Sequence, residues 1–186
     1  GFERELAEAR SREQDSYRYV VVSPLLPTSS SHASGDNNRW LAIKPGTDLA
    51  LVMGMIRWIL ENERYDAAYL SQPGPAAMAA AGEASWSNAT HLLVDDPAHP
   101  RHGQFLRGAD LGWPLPEAAD DKAPAEDVFV VQLADGTLAP HTVAQAAELF
   151  VSRHVDTVGD RDGVAETLHV RTSLGMLREE AARKTL

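Results

Sequence analysis

Apolar positions are densest in one stretch near the middle of the first half of the chain. Trp40–Ile43 is a short apolar run that predicts a buried strand, and Leu49–Leu60 is apolar around almost its whole circumference. The second pattern predicts a helix packed on more than one side. Pro45 and Gly46 lie between the two runs and predict a tight turn, because proline fixes φ and glycine adopts conformations closed to other residues. The stretch therefore predicts a strand, a turn and a buried helix.

The residues before this stretch predict a helix and a second strand. Phe2, Leu6 and Ala9 recur at helical spacing, which predicts an amphipathic helix from about residue 2 to 13. Tyr17–Val22 is β-branched and aromatic and predicts a buried strand, which Pro24 ends. The connection to Arg39 has about the length that a parallel crossover needs. These elements predict half of a doubly wound sheet, with both strand ends at one edge.

The rest of the chain predicts shorter elements. The tract His99–Asp127 is rich in proline, glycine and charge, which predicts a surface excursion with little regular structure, and Val143–Val151 is compatible with either a helix or a strand. The remaining segments predict helices over Tyr65–Leu70, Ala76–Ala81 (ending at Gly82) and Ser173–Lys184 (Leu174 and Leu177 inward), strands over His91–Val94 and Val164–Val170, and a hairpin of Val128–Leu133 and Thr137–Leu138 around Asp135-Gly136.

Together these elements predict an α/β fold with a Rossmann-like, partly parallel sheet flanked by helices, a β-hairpin and a loop-rich insertion. We divide the chain into residues 1–70, a strand–turn–helix core that binds a nucleotide, and residues 71–170, the loop-rich insertion with the hairpin. Residues 171–186 form the closing helix of the same domain. No internal repeat is visible in the sequence.

Charge and composition narrow the possible functions. The 186 residues carry 27 acidic and 17 basic side chains, a net charge of -10, and such a field repels the phosphates of nucleic acid. The absence of cysteine excludes disulfides and thiolate-bound metal within these residues. The longest apolar run contains Arg57 and is shorter than the ~20 residues of a membrane helix. No signal peptide is visible, and the mid-helix pattern at Gly1 leads us to expect a piece of something longer.

Common catalytic motifs are missing from the sequence. Neither a phosphate-cradling glycine loop, nor His-Glu-x-x-His, nor Gly-x-Ser-x-Gly occurs. His99 and His102, beside Asp95 and Asp96, could supply metal ligands, but a proline-rich loop gathers such residues by composition, and a solvated loop is the favoured interpretation. His32 could face a ligand, although a loop histidine is more often simply exposed. We therefore expect no metal ligand and no catalytic residue in the chain.

The turn before the apolar helix is the strongest candidate site. Gly46 permits close approach of a ligand to the backbone, Thr47 offers a hydroxyl and an amide, and the Asp48 carboxylate can accept two parallel hydrogen bonds from a guanine. A plain aspartate N-cap after a Pro-Gly turn is the structural alternative, and spacing alone favours that alternative. Ser23 and Pro24 follow the preceding strand, where doubly wound folds place a ribose-reading residue.

These residues resemble one enzyme family. Tyr19–Pro24, Arg39–Leu51 and Trp58–Asp66, followed by the later segments Gly103–Arg107, Val128–Val131 and Thr172–Leu177, resemble the molybdopterin oxidoreductases of the dimethyl sulfoxide reductase family. The resemblance implies that Gly46, Thr47 and Asp48 hold a guanosine end of a bis(molybdopterin guanine dinucleotide) molybdenum cofactor, with Ser23 and Pro24 nearby. Ser23 departs from the aspartate common in the family. The family's iron–sulfur cysteines and molybdenum ligand lie outside these residues.

The resemblance also implies a function for the longer protein. It implies a respiratory reductase whose partners are the remaining domains of its own subunit, an iron–sulfur subunit for electron transfer, and a quinol-oxidising subunit in the membrane, with the enzyme at the periplasmic side. The chain by itself is then expected to be inactive. The rival hypothesis is a stand-alone nucleotide-binding or protein-interaction domain, in which residues 95–127 form an interaction loop.

Overall fold

The computed structural model describes residues 4, 5, 8, 19–25, 39–114, 127–158 and 165–184. The chain divides into two compact units, residues 1–53 and residues 54–186. Arg4, Glu5 and Glu8 are helical, and Arg4 Nε lies 3.0 Å from Glu8 Oε1. The rest of the helix predicted over residues 2–13, and His32 in the crossover, lie outside the described residues. No helix in the described parts of the chain has the length and apolar character needed to cross a bilayer.

The first unit contains a parallel pair of short strands. Strand β1 (Val20–Val22) pairs in parallel with β2 (Arg39–Leu41), as the sequence predicts. The strands are not buried, and that part of the prediction is wrong: Val20 is 51% exposed and Trp40 is 42% exposed. Their β-branched and aromatic composition favours strand geometry on a sheet surface whether or not another layer covers it.

Helix α1 (Asp48–Glu61) follows the turn after β2. The prediction of a helix here is confirmed, and Met53 and Leu60 are buried. The expectation that the helix packs on more than one side is wrong in this structure. Large apolar side chains remain exposed along it, at Leu49, Val52, Met55, Trp58 and Ile59.

Two short helices come next in the second unit. Helix α2 (Ala67–Leu70) begins after Asp66, whose carboxylate accepts a hydrogen bond from Tyr69 N at 3.0 Å. Helix α3 (Pro75–Ala81) has proline in its first turn and ends at Gly82, whose φ of 72° is left-handed. Both helices occupy the predicted positions.

Antiparallel strands form most of the second unit. Strand β3 (Leu92–Val94) pairs with β7 (Thr167–Thr172), which also pairs with β6 (Ser152–Asp156). Strands β4 (Val130–Gln132) and β5 (Leu138–Pro140) form the predicted hairpin. Mixed helices and strands confirm the α/β class, whereas strand pairing in this unit is antiparallel wherever the structure describes it.

The tract predicted as an irregular excursion is more ordered than expected. Phe105 bridges to Leu93 and Arg107 bridges to Phe129, so this segment links β3 to the residues leading into β4. A 3₁₀ helix (Gly108–Leu111) follows. The prolines and charges of the tract predict a solvated loop, but backbone pairing on both sides organises its middle.

The main apolar core lies within this antiparallel sheet. It consists of Leu92, Val94, Leu106, Val130, Val151, Val155, Leu168 and Val170. The final helix α4 (Ser173–Lys184) has the predicted bounds and buries Leu174, Gly175 and Ala181. Leu177 is 37% exposed, so its predicted inward position is wrong. The buried face is rotated toward Gly175, which places Leu177 at its margin. Residues 143–151, whose pattern is compatible with either a helix or a strand, form neither.

Candidate functional site

The turn between β2 and α1 is closed by the backbone. Thr47 N donates to Lys44 O at 3.1 Å, and Gly46 has a φ of 80°. Proline followed by a left-handed glycine is the pattern of a type II turn. A Cβ added at Gly46 would meet no atom within 4 Å. Glycine is therefore required here by backbone conformation, and the surface beside it is open.

Thr47 joins the turn to the helix. Its hydroxyl donates to Lys44 O at 2.7 Å, and its carbonyl accepts from Leu51 N at 3.2 Å. Thr47 thus occupies the position just before the helix, and Asp48 is the first helical residue. The structural alternative of an Asp48 N-cap does not describe this arrangement, because the cap is the residue that precedes the first helical one.

Asp48 is exposed at the amino-terminal end of α1. Among the described residues its carboxylate has no hydrogen-bond or ion-pair partner. The partial positive charge at a helix N-terminus stabilises a carboxylate in this position. Asp48 therefore presents two acceptor oxygens, unengaged within the described residues, beside the free N–H groups of the first turn.

Ser23 and Pro24 follow the end of β1. Ser23 N donates to Leu41 O at 3.2 Å, and the Trp40 indole N–H donates to Ser23 O at 2.9 Å. Because β1 and β2 are parallel, these residues and the turn after β2 follow strand ends of the same polarity. Sequence reasoning missed the contribution of Trp40. An indole, which carries a donor and stands in the strand next to the turn, is the feature that could have indicated it.

The histidine cluster considered as a metal site is arranged differently. His99 Nε2 lies 3.1 Å from Glu166 Oε2, and His99 Nδ1 accepts from Arg101 N at 3.1 Å. His102 is exposed. No group of three or more potential ligands among His, Cys, Asp and Glu occurs within the described ranges.

A buried histidine lies in the second unit. His91 is 2% exposed, and its Nε2 donates to Pro73 O at 2.9 Å. It stacks on Phe129 at 4.9 Å and contacts the His141 ring at 5.5 Å between centroids. Burial lowers the pKa of His91 from its ordinary value of 6.5, and burial together with the Arg107 charge lowers the pKa of His141. Both rings are therefore held neutral.

Known proteins resemble the chain over most of its length. No family model matches it. It is 42% identical to the catalytic subunit of tetrathionate reductase from Salmonella typhimurium over 183 residues, 98% of the chain and 16% of that protein. It is 33% identical to the catalytic subunit of selenate reductase from Mesobacillus selenatarsenatis, over 91% of the chain and 14% of that protein. It is 29% identical to the corresponding tetrathionate reductase subunit of Archaeoglobus fulgidus, over 86% and 12%.

The chain therefore belongs to the molybdopterin oxidoreductase family that its sequence resembles, and it corresponds to one segment of the catalytic subunit. It spans less than a fifth of the length of these relatives, at 16%, 14% and 12%. Within the family, the segments Ser85–Leu92 and His99–Phe105 are most like tetrathionate reductase in our interpretation of the sequence, with respiratory arsenate reductase as the competitor.

Proposed function

We propose that the chain is part of the catalytic subunit of a molybdenum-dependent respiratory reductase that cleaves tetrathionate to thiosulfate. One observation carries this proposal: across 98% of its length, the chain is 42% identical to the catalytic subunit of a tetrathionate reductase. A relative of respiratory arsenate reductase is the alternative substrate assignment. A stand-alone nucleotide-binding domain is the alternative from another class.

Within that subunit, we assign the chain to the guanosine end of a molybdopterin guanine dinucleotide. The exposed Asp48 carboxylate would accept the N1–H and N2–H₂ donors of guanine as a charge-assisted pair. Gly46 and Thr47 would lie along the base, and Ser23 and Pro24 near the ribose. The open surface at Gly46 and the Asp48 carboxylate, which is unengaged within the described residues, support this assignment.

The complete cofactor would be the bis form with one molybdenum, and an iron–sulfur cluster would lie elsewhere in the subunit. When bound, the molybdenum centre supplies two-electron transfer to the sulfur–sulfur bond. The chain contains no cysteine and would ligate neither group through sulfur. Its own contribution is to bind and orient the nucleotide, and alone it would be inactive.

The exposed apolar residues on α1 support a partner within the same polypeptide. Leu49, Val52, Met55 and Ile59 recur every three or four positions and are at least 38% exposed. Such a stripe is typical of a helix face covered by other protein. We assign it to the remaining domains of the subunit. An iron–sulfur electron-transfer subunit, a membrane quinol-oxidising subunit and a periplasmic location complete the proposal, and nucleic acid has no place in it.

The test is made in the complete subunit that contains this chain. Asp48→Asn keeps the side-chain shape but replaces one acceptor oxygen by a donor amide, which opposes guanine N–H groups. We expect lower molybdenum and guanine content per protein, with tetrathionate reduction by reduced viologen lowered in proportion. Glu63→Gln, an exposed carboxylate in the loop after α1, is the matched control. Full guanine content in Asp48→Asn would contradict the site, and normal cofactor content without tetrathionate turnover would contradict the substrate.

A second arm addresses the isolated chain. Reduced viologen and tetrathionate should give no turnover above background with the 186 residues alone. Tight binding of a nucleotide without guanine to this chain would favour the stand-alone alternative.

A further inference from the structure

A small cleft opens in the second unit beside the edge strand β6. Its volume is about 230 Å³, below the roughly 300–1,000 Å³ of pockets that hold drug-sized ligands. The cleft therefore suits a small ion rather than a nucleotide. It is lined by Phe150, Val151, Ser152, Arg171, Gly175 and Arg178.

The two arginines in the cleft differ in their electrostatic state. Arg171 is 16% exposed, its Nε lies 2.7 Å from Asp95 Oδ2, and its Nη1 contacts Glu179. Two carboxylates therefore compensate its charge. Arg178 has no carboxylate partner in the described part of the chain, and its guanidinium lies 4.3 Å from the centre of the Phe150 ring. The cleft thus carries one positive charge that no described carboxylate compensates, in a protein whose net charge is -10.

The Phe150 ring orients the Arg178 fork. A guanidinium stacked on an aromatic face keeps its in-plane N–H donors free at the edge, in the geometry that matches two oxygens of an anion. Cation–π stacking also reduces the rotamer freedom that a bound anion would otherwise have to remove.

A hydroxyl on the cleft wall supplies a second donor. Ser152 Oγ lies 3.0 Å from His169 Nε2, and His169 Nδ1 lies 2.9 Å from Asp95 O. The carbonyl only accepts, so Nδ1 carries a proton, and Nε2 of the neutral ring accepts from Ser152. Because a hydroxyl rotates about its C–O bond, Ser152 can give its proton either to His169 or to an oxygen in the cleft.

We propose that this cleft binds a small inorganic oxyanion of the selenate or sulfate type, held by two N–H groups of Arg178 and by the Ser152 hydroxyl. The site shares no residue with the guanosine site and does not depend on the cofactor assignment. Three features select this class of ligand: the volume of the cleft, a guanidinium without a carboxylate partner in the described residues, and the adjacent hydroxyl.

The test uses the chain with ¹⁵N-labelled arginine, titrated with sodium selenate at constant ionic strength. We expect a saturable shift of the Arg178 Nε–Hε resonance with a Kd on the order of millimolar, the range of a single exposed charge-assisted contact. Arg178→Gln should weaken binding at least about tenfold, and Ser152→Ala should weaken it less. Arg183→Gln removes the same charge from the same helix outside the cleft, where Arg183 pairs with Glu180 at 2.7 Å, and should leave the Kd unchanged.

Three results would overturn the proposal. These are unchanged affinity in Arg178→Gln, absence of saturable shifts, and acetate binding as tightly as selenate, which would indicate a carboxylate site. Arg178→Lys guards against loss of packing on Phe150, since it keeps the charge and removes the planar fork; it should fold normally and bind with intermediate affinity. None of these readouts involves the cofactor, so the outcome is independent of the guanosine proposal.

Discussion

Arg101 holds Asp110 in a two-point ion pair, with Nη1 at 3.0 Å from Oδ1 and Nη2 at 2.8 Å from Oδ2. The Asp110 side chain is 5% exposed, and its Oδ2 also accepts from Arg107 N at 2.8 Å. One carboxylate thereby ties the 3₁₀ helix to the loop before it. This contact explains why a tract rich in proline and charge is ordered.

Asp110→Ala should strongly destabilise the second unit. Removing one partner of a buried pair leaves a charge and an N–H group without their acceptor, which costs about 3 kcal/mol in the free energy of unfolding. Urea denaturation measures it. The exposed Glu180→Gln, which breaks ion pairs of α4 with Arg183 and Lys184, should change the midpoint little. Equal effects of the two substitutions would show that burial does not govern the Asp110 contact.

Gly46→Ala should destabilise the turn by about 1 kcal/mol through backbone strain alone. An added Cβ meets no neighbour, so a φ of 80° is the only feature that opposes it. Gly46→Asn should cost less, because asparagine tolerates left-handed backbone conformations. Thermal unfolding of the three proteins provides the comparison, and an alanine variant as stable as the asparagine variant would contradict the conformational argument.

Protonation of His91 should make the fold less stable in mild acid. Burial lowers the pKa of His91 below its ordinary 6.5, so the unfolded chain binds the proton more readily than the folded one. The stabilisation is fully present above about pH 6.5 and is lost as the pH falls from there toward the folded-state pKa. His141 acts in the same direction.

Denaturation midpoints measured across this pH window, in His91→Gln and the unmodified chain, would check this. Glutamine keeps a donor for Pro73 O but does not titrate, so its midpoint should fall less steeply below pH 6.5. His102→Gln, at an exposed position, is the control and should follow the unmodified chain. Parallel pH curves for all three would exclude His91 as the cause.

Met55→Glu should separate folding of the chain from assembly of the subunit. Met55 is 52% exposed on α1, so a charge there should change the stability of the chain by no more than about 0.5 kcal/mol. In the complete subunit the same charge would be buried against the proposed covering domain and should lower the yield of soluble enzyme. An unchanged yield would indicate that this face stays exposed in the whole protein.

Elements defined by local residues were predictable from the sequence. The hairpin of β4 and β5 follows from Asp135-Gly136, and α3 follows from Pro75 and Gly82. Strand β6 was missed because Ser152–Asp156 contains a single apolar residue, Val155, and its pairing with β7 joins distant parts of the chain. Burial of β1, β2 and α1 was predicted wrongly because apolar composition indicates where a surface can be covered, not whether this chain supplies the cover.

The candidate site divides in the same way. The turn at Pro45 and Gly46 was predictable because residue type sets its backbone conformation. The indole bond from Trp40 to Ser23 joins residues 17 positions apart, and no local pattern encodes it. The oxyanion cleft likewise combines residues from β6, β7 and α4 with the segment before β6. Only the folded arrangement shows that Arg178, within the described residues, lacks the carboxylates that Arg171 has.

The parallel pair of β1 and β2 aligns only three residues on each strand. A sheet of two strands without a covered face is marginal in water by itself. The peptide bonds next to β1 should therefore be the first that a protease cleaves when these 186 residues are produced alone, while the antiparallel sheet of the second unit survives. A trimmed species that begins near α1 would then be the form best suited to crystallisation.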